Sequence, residues 1–465
     1  MTIRPLIAAM SLTLSSAALP AAEPFPDGAR VVLFGDSITH NGFYGTYIAH
    51  FYETRFPDRK VEFINAGTSG GNTTDGFDRI EWDVLSHNPT DVVINFGMND
   101  VGTSQYTGPE PARTRTTDGM VSRFEERMTE ILDRLKGAGI KRIILTIPTP
   151  YDQTGNHERE SAVGKNDAII RCGEALKRFA AERQLPLVDF NSTLLALNAK
   201  YQPADPSFTT ISPDRVHPGK PGHLVMTSEF LKAQGLATSV WEARIDLAKQ
   251  GDATAETTRA KISAIQQSAD SVTWTMELEA IPFAVDAEPE ASTKPSALPA
   301  LEWIPFESQF NREILRIDGL SAGRWELRMN DRDVGTYSAD ALAMGIDLRR
   351  AEGTPQKELS LKMLNLALDR REEERKLRAE SWIRTRVLEP AGVDVTDFAA
   401  CDAAIAEWRK ADDFQDGWNR YAEQYVEFRS AESIAKVQAR IDALKAQIRA
   451  EAQLAPVACI LRRVT

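Results

Sequence analysis

The stretch "RVVLFGDSITHNGFYG" (residues 30–45) runs from a β-branched and aromatic segment straight into Gly35-Asp36-Ser37. A buried strand accounts for the apolar run, and a turn accounts for the glycine and the aspartate. The serine asks for more. A hydroxyl at the carboxyl end of a strand stands where α/β sheets place their chemistry. As a nucleophile it needs a base, an orienting acid and donors for an oxyanion, all from elsewhere in the chain.

Working outward, four more short apolar runs follow: "VEFINAG" (61–67), "DVVINFG" (91–97), "RIILTIP" (142–148) and "LPLVDF" (185–190). Amphipathic stretches separate them, such as "SRFEERMTEILDRLKGAG" (122–139) and "AIIRCGEALKRFAAERQ" (168–184). Continuous apolar strands alternating with helices predict an α/β domain over residues 28–240: a parallel, doubly wound, flavodoxin-like sheet covered on both faces. Ser37, Gly70 and Asn99 each fall just past a strand's carboxyl end. From about 250 to 355 the pattern turns to period-2 alternation, as in "GRWELRMNDRDVGTYS", where Trp325, Leu327 and Met329 share a face. This predicts a small antiparallel β module. A Pro/Ala/Glu-rich segment at 285–300 reads as a solvated loop. Phe306 and Phe310 share a helical face that packs on the first domain. From 356 to 465 the chain reads as helical, with Glu372–Lys376 and Glu374–Arg378 at i,i+4. Ile434, Val437, Ile441, Leu444 and Ile448 form the apolar stripe of a packed helical hairpin, and Trp382, Trp408 and Trp418 read as its core. These helices also offer a self-association surface.

The 465 residues carry a formal net charge of −12. That disfavours nucleic acid and anionic membranes as partners, since both are polyanions. Residues 1–22 have the form of a cleavable signal peptide: Arg4, an apolar stretch, then small residues near Ala21 and Ala22. The mature chain is expected to be secreted or periplasmic, without a membrane span. Three sparse cysteines, Cys172, Cys401 and Cys459, make no disulfide framework and no zinc spacing. No metal site or cofactor is expected.

The catalytic partners lie in "SPDRVHPGKPGH" (212–223), where Asp214 and His217 stand three residues apart. That spacing lets the carboxylate reach one imidazole nitrogen and leaves the other as a proton acceptor. Pro213, Pro218 and Pro221 stiffen the loop. "NAGTSGGNTTDG" (65–76) supplies a glycine-rich loop in which a backbone N–H can approach a substrate closely, and "FGMNDVG" (96–102) presents the uncharged donor Asn99. Asp36 reads as a loop-bracing acceptor.

Gly35-Asp36-Ser37, the "NAGTSGG" block, "GMND" and "DRVHP" occur in the order of the SGNH (GDSL-type) serine hydrolase family, which residues 28–235 resemble; the later segments look like extensions of secreted bacterial members. The resemblance implies a three-layer α/β/α fold and a serine esterase mechanism without metal or cofactor. It assigns Ser37 as nucleophile, His217 as base and Asp214 as acid, with Ser37 N–H, Gly70 N–H and the Asn99 side chain as the oxyanion hole. Three substrate readings compete. The first is O-acetyl groups on a carbohydrate, favoured by the acidic charge and the added modules. The second is longer acyl chains, as in a lysophospholipase or thioesterase, which would require an apolar acyl channel; Phe43, Tyr44 and Tyr47 are candidates to line either kind of site, or are simply core. The third is a non-catalytic carbohydrate-binding protein, which the complete triad argues against.

Overall fold

The run at 30–35 forms strand β1 (Arg30–Gly35), in which Val31, Val32 and Phe34 are wholly buried. The computed structural model describes residues 19–106, 110–247, 253–289, 295–411 and 416–464. Most of the expected signal peptide, and positions 290–294 of the loop expected at 285–300, therefore lie outside the described residues. Strands β2 (Glu62–Gly67), β3 (Asp91–Asn95), β4 (Arg142–Ile147) and β5 (Leu187–Asp189) join β1 in the order β2-β1-β3-β4-β5, every pair parallel. Each apolar run read from the sequence is one of these strands.

Helices α1 (Ser37–Asn41), α2 (Phe43–Arg55), α3 (Thr73–Asp83), α4 (Glu110–Gly137), α5 (Lys165–Arg183), α6 (Asn191–Tyr201) and α7 (Lys220–Ala233) flank the sheet. α2 packs on α7, while α3, α4 and α5 pack in series. Phe124, Met128, Ile131 and Leu135 show how the cover works: at spacings of three and four they form one buried stripe on α4. The domain is an α/β/α sandwich with its strand carboxyl ends on one edge. Phe43, Tyr44 and Tyr47 are buried in its core.

Beyond it, β6 (Trp241–Asp246), β7 (Thr254–Thr258), β8 (Ala260–Gln267), β9 (Ser271–Leu278), β10 (Glu313–Asp318), β11 (Arg324–Met329), β12 (Arg332–Ser338), β13 (Ile346–Asp347) and β14 (Val457–Val464) build two further sheets. Their orders are β13-β10-β6-β7 and β12-β11-β14-β9-β8. Trp325, Leu327 and Met329 do face one core, together with Trp241, Ile245, Trp274 and Met276. Two expectations need correction. The module is not wholly antiparallel, because β6 and β10 pair parallel. Nor is 356–465 wholly helical, because β14 is seated between β11 and β9. Val457, Cys459 and Leu461 alternate into that core. The final strand thus closes a sheet whose other members lie more than a hundred residues earlier, and its short period-2 pattern is hidden behind a long helical one.

Helices α8 (Ala300–Trp303), α9 (Phe306–Phe310), α10 (Ala339–Met344), α11 (Pro355–Ile383), α12 (Phe398–Trp408), α13 (Asn419–Phe428) and α14 (Ala431–Glu451) complete the chain. Phe306 and Phe310 pack into the core of the α/β domain, as read. Val437, Ile441, Leu444 and Ile448 are the buried stripe of α14, which packs on α11. Trp408, Trp418 and Tyr421 cluster around Trp382. The expected i,i+4 pairs on α11 do not form: Lys376 pairs with Glu373, Glu374 with Arg370, and Arg378 turns inward to Asp83. The physical reason is burial, since a guanidinium taken from water needs a carboxylate beside it. All three cysteines are buried and free. Among the described residues no helix is long and apolar enough to cross a membrane.

Candidate active site

Gly35 ends β1 where only a glycine fits: a Cβ there would stand 2.3 Å from Thr39 Oγ1 and 2.6 Å from the Asn95 carbonyl. Asp36 then caps α1, its carboxylate accepting from the Ile38 N–H at 2.9 Å. This is the bracing role read from the sequence. Burial pushes the Asp36 carboxyl up to about 7, against the hydrogen bond from Ile38 and the nearby His217. Ser37 is the first residue of α1, so its N–H has no intrahelical acceptor.

Loop 212–217 meets it. His217 Nε2 lies 2.7 Å from Ser37 Oγ, and His217 Nδ1 lies 2.8 Å from Asp214 Oδ2. The other Asp214 oxygen accepts from the backbone N–H groups of Val216 and His217, each at 2.9 Å. Burial alone would raise the Asp214 carboxyl. The hydrogen bond and charge of His217, with those two N–H groups, outweigh it and hold it well below the usual carboxylate range. Arg215 holds the loop in place. Its backbone is left-handed, φ 70°, and its buried guanidinium donates to the carbonyls of Asp152, Gly155 and Arg159. Sequence reasoning missed this residue, and the only signal for it was a cation between the acid and the base.

The three expected donors are placed less directly. Gly70 is left-handed, φ 71°, and its N–H has no acceptor among the described residues. The Asn99 side chain donates to the Gly71 carbonyl at 2.9 Å, which ties β3's carboxyl end to the glycine-rich loop and leaves one amide hydrogen. A cavity of about 190 Å³ opens over Ser37, lined by His40, Asn41, Ser69, Ser212, Asp214 and His217 among others. Gly70 and Asn99 are not in that lining; they adjoin it through Ser69 and Gly71.

The rest of the wall comes from the C-terminal helices, to which the sequence assigned no role here. Arg375 of α11 and Arg420 and Tyr421 of α13 line the cavity. Tyr421 Oη donates to Ser69 Oγ at 2.7 Å and its ring stacks on Trp382 at 4.6 Å. Arg378 donates to the Gly67 carbonyl at 3.0 Å, and Arg386, in a π-helical turn following α11, donates to the Gly70 carbonyl at 2.5 Å. Arg371 holds the Asn41 carbonyl and side chain at 2.6 and 2.7 Å. The glycine-rich loop and the end of α1 are thus clamped from the far end of the chain. Burial, reinforced by Arg378, Arg375 and Arg420, holds His40 down to about 3, so this cavity histidine is neutral at neutral pH.

The family model of the GDSL-like lipase/acylhydrolase family matches residues 33–225. The chain is 26% identical over 223 residues to an acetylxylan esterase of Geobacillus stearothermophilus, covering 45% of this chain and 94% of that protein. It is also similar to the solved structure of BT4096, "a gut microbial diltiazem-metabolizing enzyme", at 29% identity and a TM-score of 0.88. That likeness spans 96% of this chain and 99% of the other, so the added sheets and helices recur there with the hydrolase domain. A parallel sheet with a serine at the end of its first strand, in a segment that matches this family model, makes residues 33–225 a GDSL-like lipase/acylhydrolase domain and the chain a carboxylic ester hydrolase.

Proposed function

We propose that the chain is a serine esterase that removes O-acetyl groups from a carbohydrate, with Ser37 as nucleophile, His217 as base and Asp214 as orienting acid. The observation that carries this reading is the unbroken series Ser37 Oγ–His217 Nε2–His217 Nδ1–Asp214, with links of 2.7 and 2.8 Å, at the floor of a small polar cavity. The ionised Asp214 accepts a hydrogen bond from Nδ1–H, so Nε2 keeps its lone pair toward the hydroxyl. Ser37 Oγ attacks the ester carbon while its proton passes to Nε2. The carbonyl oxygen becomes an oxyanion, met by the Ser37 N–H, the Gly70 N–H and the Asn99 amide. Collapse breaks the C–O bond of the alcohol, which leaves with the proton from His217. Water then repeats the sequence on the acyl-serine, releasing acetate. Asn99→Ala is expected to lower kcat by about 10²–10³-fold with little change in KM. A loss of less than threefold in steady-state kinetics would remove Asn99 from the oxyanion hole.

The acetyl-carbohydrate reading draws on the relative that bears the name acetylxylan esterase and on the cavity's size and polar lining. A longer acyl chain calls for an apolar channel, and the aromatics nearest Ser37 in sequence are committed to the core. Rates on p-nitrophenyl esters of increasing chain length are expected to peak at acetate and to vanish by octanoate. A maximum at octanoate would overturn the acetyl assignment and favour the lipid reading. Residues 1–22 support export of the mature enzyme to the periplasm or the exterior. The proposal takes residues 28–240 as the catalytic unit, with the later sheets and helices as its flanking modules.

A further inference from the structure

The proposed chemistry leaves the two arginines of the cavity unused. Arg375 and Arg420 share the cavity with Ser37, and their charges converge on one wall, since both help hold the buried His40 neutral. Neither charge is neutralised by a dedicated partner. Arg375 reaches Glu372 at 3.2 Å, but that carboxylate is also held by Arg371 and is more than half exposed. The buried Nε of Arg375 has no acceptor among the described residues. Arg420 lies at 3.0 Å from the Tyr421 hydroxyl, a neutral group, and among the described residues no carboxylate pairs with it. The one acidic side chain of the cavity, Asp214, is engaged by His217 and two N–H groups. A locally cationic wall thus faces the nucleophile in a chain whose net charge is −12. Long-range attraction does not account for it; short-range recognition of an anion does. Planar guanidinium groups suit a carboxylate in particular, because they offer paired N–H donors that match its two oxygens.

We infer that Arg375 and Arg420 bind a carboxylate on the alcohol part of the ester, so that the substrate is an O-acetylated acidic sugar, a uronate, rather than a neutral one. The cavity of about 190 Å³ places the carboxylate on the sugar that bears the acetyl group or on its immediate neighbour. This rests on the esterase reading above and adds the substrate class to it.

The test compares kcat/KM of the full chain on a methyl O-acetyl-uronate and on the matching methyl O-acetyl-hexoside. The charged substrate is expected to be preferred by at least about tenfold, chiefly through KM, the scale of one charge-assisted contact. For the wild-type enzyme that ratio should fall toward one in ~0.5 M NaCl, where screening acts within about 4 Å. R375A/R420A should bring the ratio to near one, and R375K/R420K should restore part of it. Equal kcat/KM for the two substrates at low salt, or a ratio untouched by R375A/R420A, overturns the inference. So does a preference for a charged acyl group, read with p-nitrophenyl hemisuccinate against p-nitrophenyl acetate. Turnover of p-nitrophenyl acetate separates the two levels. If it proceeds without any charge preference, only the carboxylate inference fails. If it is absent, the esterase reading fails and this inference falls with it.

Discussion

Ser37→Ala is expected to abolish ester hydrolysis, lowering kcat by about 10⁴–10⁶-fold while the fold persists. The size follows from what the hydroxyl does. Among the described residues Ser37 Oγ is the hydrogen-bond partner of His217 Nε2, so deleting Oγ is expected to remove covalent catalysis and leave only the oxyanion donors and binding. The change takes away a single oxygen from a half-buried position at the start of a helix, and Asp36, not Ser37, supplies the cap. Circular dichroism and the melting temperature should therefore match wild type. The measurement is p-nitrophenyl acetate hydrolysis alongside mass spectrometry after rapid quenching, where wild type should carry an added acetyl group on the peptide with Ser37. An S37A enzyme within tenfold of wild type would exclude this serine as the nucleophile.

Asp83→Asn is expected to destabilise the protein by about 3–5 kcal/mol, the range for breaking a buried ion pair from one side. Asp83 at the end of α3 accepts from Arg79 on its own helix and from Arg378 on α11, at 2.5 and 2.7 Å from the latter. All three side chains are buried. Burial alone would raise the Asp83 carboxyl; Arg378 and then Arg79 outweigh it and hold it below its ordinary value. A carboxyl whose folded pKa lies below its unfolded one stabilises the fold above the unfolded pKa, about 4, and that contribution disappears as pH falls through the folded value. The gap in melting temperature between wild type and D83N should thus be full at pH 7 and shrink once the pH drops well below 4. Arg79 also holds the Gly35 and Ala66 carbonyls and Arg378 the Gly67 carbonyl, so kcat should fall with stability. Melting temperatures within a degree of each other at pH 7 would show that the cluster is not what joins α11 to the hydrolase domain.

The legible parts of this protein were those with a local signature. Val31 to Phe34 announce a strand by composition, and Asp214 and His217 announce a pair by standing three residues apart in a proline-stiffened loop. The misread parts share one property: their partners are remote. Arg378 sits at i,i+4 from Glu374, and the sequence invites that pair, yet its partner lies 295 residues away. Tyr421 carries no local signature: it is buried beside Trp382, and its hydroxyl reaches Ser69 across 352 residues. β14 is a short alternating run whose meaning depends on the gap between β9 and β11.

The sequence by itself determined the parallel sheet, the order of its strands along the chain and the residue types proposed for ester hydrolysis, because backbone periodicity and short-range spacing are written in neighbouring letters. Only the tertiary structure decided what surrounds that site: that the last hundred residues clamp the glycine-rich loop, and that two arginines from them share a cavity with Ser37. Which distant side chains share a cavity depends on packing the whole chain at once, and no local pattern records the outcome.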